Sequence, residues 1–370
     1  GRLAVLDRLE GLVLVDAGDP DAVKPLGGGQ YVAPWTAPFH GYQAMAVLRD
    51  YTYTNAAGQS VTSDVAVVVG YHSLPGDGMD GQLAVLSLPA SGVPAVIGRA
   101  LLGRQTTSVP MAVVATDRYA LVGAVGAGLQ VVDLPAAVEL VQRRSGSLFD
   151  QAQEGSPVVG AYDFGGLPVP SPVGLVRSQK DAALAYVGER SRGVFRVHLG
   201  ALPDLTVSQI ATTSPFRIAL AEDVPQADDS AADLLLIATG HGLTIINLTA
   251  PETQIPPILF DTALGVFGMA AHGPRGLAFL TTGSEGLKVV DLKAATPTVV
   301  GAQTNLGYAN GGVAVDAEYA YVAAGSSGLQ IVEYDPCCLH LYIEVQGGQH
   351  YAAHGQPGVL YIKSSGTDPA

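Results

Sequence analysis

Lysine and cysteine are both scarce in this chain of 370 residues, and each scarcity closes off a class of function. Only five of the 19 basic residues are lysine, and 33 acidic residues bring the formal charge to -14. A chain so charged has no basic surface to neutralise phosphates, which argues against nucleic acid and anionic membranes as partners. The only two cysteines, Cys337 and Cys338, are neighbours. A trans peptide holds adjacent Cα atoms about 3.8 Å apart, below the roughly 4.4–6.8 Å of relaxed disulfides, so two thiols are expected, the alternative being a strained vicinal bridge. A zinc site is not expected either, because no second ligand pair stands at finger spacing. No apolar run approaches the roughly 18 residues of a spanning helix, and membrane insertion is not expected. The chain starts at Gly1 rather than Met, which leaves room for a signal peptide or domain upstream. Also lacking are His-Glu-x-x-His, Gly-x-Ser-x-Gly, Cys-x-x-Cys and a phosphate loop; the glycine-rich run Gly123 to Gly128 lies between two strand-like segments and opens no helix.

What the sequence does have is repetition. Hydrophobic residues make up 48% and charged residues 14%, enough to bury a large core. One short phrase recurs seven times, at 12–16, 83–87, 129–133, 194–198, 243–247, 287–291 and 329–333, beginning with Leu12-Val13-Leu14-Val15-Asp16 and ending with Leu329-Gln330-Ile331-Val332-Glu333. Successive copies begin 71, 46, 65, 49, 44 and 42 residues apart, and the shortest spacings approach a basal unit in the forties. A period in the forties, filled with β-branched runs and broken by Gly and Pro, is that of a four-stranded propeller blade. The clearest unit has strand A at 312–316, strand B at 319–325 and strand C at 329–334, with strand D expected after Pro336. Apolar residues at the first, third and fourth places of strand C fit a sheet buried on both faces. The fifth place is polar in every copy, as expected of a residue that accepts a backbone N–H from the next turn.

These phrases, with Tyr319-Ala320-Tyr321-Val322-Ala323 ahead of Gly328-Leu329-Gln330, resemble the LVIVD-repeat family. The resemblance implies a β-propeller from secreted or surface-exposed bacterial proteins, with no family-wide catalytic residues. The expectation is a single all-β domain over 1–370: a seven-bladed β-propeller of four-stranded antiparallel blades. Because the chain opens in strand B at Leu3-Ala4-Val5-Leu6, residues 337–370 are expected to close the ring, with a strand at 359–363 completing the first blade.

Function is sought in the interruptions of the repeat. In the usual propeller arrangement the D-to-A and B-to-C connections share one face. On it fall Tyr31, Trp35, Phe39, His40 and Tyr42 from the long connection 26–42, together with Tyr71 and His72, Arg190 and Arg192, and His241. Aromatics in such numbers suit a stacking platform for a glycan or an anchor for a protein; packing over a blade edge is the structural alternative. Residues 136–170 form a second long insertion, and residues 51–64 read as a projecting hairpin suited to docking an adjoining domain. Among the acidic clusters, Glu222, Asp223, Asp228, Asp229 and Asp233 are the candidates for calcium, though without EF-hand spacing. The reading is a non-catalytic binding or scaffolding module presenting loops to a protein or glycan. The alternatives are an extracellular hydrolase or lyase with a metal at the central mouth, and a spacer between adjoining domains.

Overall fold

The computed structural model describes residues 2–7, 11–16, 24–25, 39–74, 78–89, 94–102, 108–142, 156–167, 169–228, 230–240, 242–250, 255, 257–259, 265–309, 311–334, 344–345 and 359–363. They are almost wholly β-structure. The first sheet holds Arg2–Asp7, Gly11–Asp16 and Lys24–Pro25; the second holds Phe39–Thr54, Ser60–Leu74, Gly78–Leu88 and Ala95–Leu101. The third comprises Val109–Ala115, Tyr119–Val125, Gly128–Asp133 and Val158–Tyr162, and the fourth Pro172–Arg177, Leu184–Glu189, Gly193–His198 and Thr206–Ala211. The fifth is built from Arg217–Pro225, Ala231–Thr239, Gly242–Asn247 and Ile258–Leu259, and the sixth from Gly268–His272, Leu277–Thr281, Leu287–Asp291 and Thr298–Gln303. The last joins Val313–Val315, Tyr319–Ala323 and Leu329–Glu333 to Val359–Lys363 and Glu344–Val345. In the second to sixth sheets each strand pairs antiparallel with the next, so strands A to D follow one another in space as in sequence.

Two expectations are corrected. Among the described residues six sheets qualify as blades of four or more strands, not seven, because the first sheet has no strand A. The strand expected to supply it, Val359–Lys363, lies instead in the last sheet, parallel to Leu329–Glu333, with Leu329 opposite Val359 and Ile331 opposite Tyr361. An apolar strand pairs wherever a free edge offers N–H and C=O groups, and strand C of the last sheet offers one. Glu344–Val345 then pairs antiparallel on its far side.

The chain divides into two compact units, Gly1–Arg177 with Ala182–Ser214, and Ser178–Asp181 with Pro215–Ala370. Within each, successive sheets meet through apolar layers, and single strands feed two layers at once. In the first unit Val65, Val67 and Val69 face the layer shared with Val113 and Val122, while Ala66 and Val68 face the one shared with Leu12 and Leu14. In the second, Ala278 and Leu280 pack with Leu234 and Leu236, whereas Leu277 and Phe279 pack with Val322 and Tyr334. Side chains alternate along a strand, so a sheet between two neighbours needs apolar residues at odd and even places alike.

Two insertions fold onto their own unit. Part of the 136–170 interruption is helical: Leu134–Gln142 forms an α-helix whose first turn is capped by Asp133 Oδ1 accepting the Ala136 N–H at 3.0 Å. Its Leu134 and Ala137 share a layer with Tyr51, which anchors the hairpin formed where strands A and B of the second sheet run on past it. Burial first, then the charges of Asp133 and Asp117, pushes the Tyr51 phenol up to about 12. The hairpin therefore packs on its own chain, whatever else it meets.

The tight B-to-C turns explain the glycines. At Gly286 φ is +75° and a Cβ would lie 1.8 Å from the Gln303 carbonyl oxygen, so strand D leaves no room for a side chain. Gly193 repeats this against Ala211 O at 2.1 Å. Gly58, at the tip of the hairpin, has φ +77° but nothing within 4 Å of its Cβ position. Gly58→Ala should therefore cost only backbone strain, of about 1–3 kcal/mol, while Gly286→Ala should lose measurably more in urea unfolding. Equal losses would show that the turn accommodates a Cβ at Gly286 without the clash with the Gln303 carbonyl adding to the cost.

Candidate binding face

On the D-to-A and B-to-C side of the first unit, the fourth sheet presents Arg190 and Arg192 from an exposed turn. The turn is fixed from beneath by Glu189, a fully buried carboxylate at the end of strand B. Its two oxygens accept the N–H groups of Ser171 at 2.9 Å, Ser191 at 2.8 Å and Arg192 at 2.6 Å. The Arg190 N–H in turn donates to Ser171 O at 3.0 Å, so the D-to-A connection and the B-to-C turn are locked together. Charge-assisted bonds of this kind are the strong ones.

The corresponding side of the second unit is aromatic. Phe216 and Tyr308 are exposed at 38% and 42%, and Phe267 is half-buried beside Tyr308, with ring centroids 6.1 Å apart and planes inclined at 58°. All three belong to D-to-A connections, those leading into the fifth, sixth and last sheets. The Phe216 N–H donates to Ala238 O at 2.8 Å and the Phe267 N–H to Thr281 O at 2.9 Å, which ties each to strand B of its own sheet. The rings lie over glycines of the B-to-C turns. A Cβ on Gly240 would meet the Phe216 ring at 3.4 Å, and one on Gly283 would meet Phe267 at 3.1 Å and Tyr308 at 3.4 Å. Arg217 joins two of the connections, its Nε donating to Phe267 O at 2.8 Å and its Nη1 to Phe216 O at 2.9 Å. Burial lowers the pKa of this guanidinium.

The acidic segment 222–233 lies at the A-to-B end of the fifth sheet. Glu222 accepts the Ser178 hydroxyl and the Gln179 N–H, the latter at 2.8 Å. Asp223 and Asp233 hold the Lys180 ammonium at 2.8 and 2.9 Å, and these bonds, Asp223 first, raise its pKa. Of the other calcium candidates, Asp228 bonds the Ser230 hydroxyl at 2.5 Å, which with the Ser230 N–H keeps its carboxyl below the usual range, and Asp229 lies outside the described residues. An open cleft of about 360 Å³ on this side is lined by Gln226, Asp228, Ser230, Asn247, Thr249 and Lys293.

The other site residues singled out from sequence are placed unevenly. Tyr31, Trp35 and His241 lie outside the described residues, as do the side chains of Phe39, His40, Tyr42 and His72, whose backbones form the second sheet. Tyr71 is half-buried in strand B, opposite Gly41 and Gly81. Phe216, Arg217, Phe267 and Tyr308 were missed. Their signal was an aromatic recurring ahead of strand A in the last three units, which is visible only once strand A is phased.

The polar fifth place of strand C behaves as expected in three copies. Asp133 caps the helix, Asn247 Oδ1 accepts the N–H groups of Thr249 and Ala250, and Asp291 Oδ1 accepts that of Lys293, the last three at 2.9 Å. Glu189 carries a sharper test. Glu189→Gln would turn an amide donor toward N–H groups that need an acceptor, and should destabilise the chain by about 1–3 kcal/mol in urea unfolding. A loss below about 0.5 kcal/mol would mean that the turn is held by other contacts.

No protein-family model matches the sequence, and no curated protein matches it. Among solved structures, the chain is similar to Sqt1 of Chaetomium thermophilum bound to the N-terminus of the ribosomal protein L10, with a TM-score of 0.51 at 12% identity over 79% of this chain and 71% of that one. It is also similar to a second Sqt1 structure from that organism, with a TM-score of 0.50 at 13% identity over 79% of this chain and 69% of the other. At such identities the likeness is one of fold, and with the sheets described above it gives an all-β propeller of four-stranded antiparallel blades.

Proposed function

We propose that this chain is a non-catalytic propeller module that binds a protein segment through the D-to-A and B-to-C side of its second unit. The observation that carries the reading is the pair of exposed aromatics Phe216 and Tyr308, with Phe267 half-buried beside Tyr308, the rings lying over glycines and the backbones of Phe216 and Phe267 tied to strand B. Large apolar rings at the surface, fixed in place, are the usual anchors of protein recognition. Sqt1, which shares the fold, binds a terminal segment of a ribosomal protein, and that lends support to a peptide-binding role for a chain of this architecture. The charge of -14 argues in the same direction by disfavouring nucleic acid. A secreted or surface setting in a bacterium belongs to the proposal through the LVIVD-like phrases alone. Glycans and adjoining domains are the competing partners.

Panning a random peptide library against the full chain and against the double variant Phe216→Ala/Tyr308→Ala tests the reading. Both side chains are exposed, so the variant should melt within a few degrees of the parent. The parent should enrich a defined peptide family and the variant should not. Equal enrichment by the two would move binding off this face and refute the proposal.

A further inference from the structure

We propose that the open cleft at the A-to-B end of the fifth sheet is a second ligand site, separate from the aromatic face, and that it takes a free aliphatic α-amino acid as a zwitterion held between Asp228 and Lys293. The cleft, of about 360 Å³, is lined by turns of two sheets: Asp228 belongs to the A-to-B turn of the fifth, and Lys293 to the turn after strand C of the sixth. That volume is near the lower end of the roughly 300–1,000 Å³ of small-molecule sites, so it suits one compact molecule.

Two opposite charges line the cleft without meeting. Lysine is scarce in this acidic chain, and Lys180 and Lys288 are each ion-paired with carboxylates. The Lys293 ammonium has no such partner among the described residues, although Asp228 borders the same cleft. The lysine stem passes Gly276, whose φ is +65° and where a Cβ would lie 2.4 Å from Lys293 Cγ, so the glycine keeps that path open. At the fifth-sheet turn both bonds from Ser230, its N–H at 3.1 Å and its hydroxyl at 2.5 Å, fall on Asp228 Oδ1. They favour the ionised carboxylate and leave Oδ2 to accept from a ligand.

The charges select the occupant by exclusion. A monoanion would pair with Lys293 but bring its charge to Asp228, and a simple amine would do the reverse. A neutral sugar would give neither residue a counter-charge. A zwitterion answers both, and its carboxylate finds further donors. Asn247 Oδ1 is taken by the N–H groups of Thr249 and Ala250, which leaves Nδ2 to donate, and Thr249 Oγ1 accepts the Asp233 N–H at 2.9 Å, which leaves its own proton. Gln226, tied through Nε2 to Val224 O at 3.2 Å, keeps Oε1 as an acceptor for an ammonium group. The rest of the described lining is Ala227, Ala231, Ala232, Ala250 and Ala295, small apolar walls that suit an aliphatic side chain rather than a third polar group.

The experiment is isothermal titration calorimetry on the full chain with L-leucine, with 4-methylpentanoate and 3-methylbutylamine, which are leucine without its amino group and without its carboxylate, and with glucose. Leucine should bind with a Kd of about 1 mM or below, and the other probes at least about tenfold more weakly. Lys293→Met and Asp228→Asn change exposed side chains and should melt within a few degrees of the parent. Each should weaken leucine by about tenfold; Lys293→Met should bring leucine to within about threefold of 3-methylbutylamine, and Asp228→Asn to within about threefold of 4-methylpentanoate. No heat from leucine at up to about 10 mM, or a half-ligand or glucose binding the parent as tightly as leucine, overturns the assignment. Leucine binding unchanged in either variant overturns the site. No variant here alters Phe216 or Tyr308, so this result and that of the peptide panning stand or fall separately.

Discussion

Burial of each blade on both faces is the constraint from which the rest of this structure follows. A strand such as Ser60–Leu74 gives its odd-numbered valines to one apolar layer and its even-numbered residues to another, and no single sheet can bury both without a neighbour on each side. Each fully buried Val, Leu or Phe contributes about 1.5–3 kcal/mol, and the layers Leu277–Phe279 and Ala278–Leu280 show both faces drawing on the same five-residue strand. With the strand interiors committed to packing, variation is confined to the connections. A binding site is to be sought there as well.

That division explains what the sequence revealed. The recurring phrase marks strand C because double burial removes the usual alternation and leaves a recognisable apolar run. Its polar end is legible because Asp133, Asn247 and Asp291 perform the same local task of ending a strand. Both are properties of short stretches of chain. The number of complete blades and the placement of Val359–Lys363 are not, since an apolar strand of that composition satisfies any open edge, in either direction. Sequence pattern specifies that the strand will be buried; only the geometry of the available edges specifies where.

The candidate face was harder to read for a related reason. Sequence inspection is drawn to density, and the aromatics of residues 31–42 are dense. The rings at Phe216, Phe267 and Tyr308 come one to a connection, and the propeller repeat gathers them from separate units. Arg190 and Arg192 were visible as surface charge, but the residue that fixes their turn, Glu189, reads in sequence as an ordinary acidic residue after a strand. Its role arises from a chain reversal that brings the Ser171, Ser191 and Arg192 N–H groups to one carboxylate.

The two faces of the second unit differ in how they treat polar groups, and this difference bears on binding. At the A-to-B end of the fifth sheet, Lys180 pairs with Asp223 and Asp233, and Glu222 accepts the Ser178 hydroxyl and the Gln179 N–H. At the B-to-C end, polar groups are turned inward to backbone carbonyls, as with Arg217 and Thr281, and the rings are left outward. A protein meeting the first must compete with internal ion pairs. One meeting the second displaces water from aromatic rings, of which Phe216 and Phe267 have backbones already anchored to strand B, and this lowers the ordering required on association. Rigidity inherited from double burial thus becomes preorganisation at the surface, which favours the aromatic end of the blades over the acidic one in the protein-binding role proposed above.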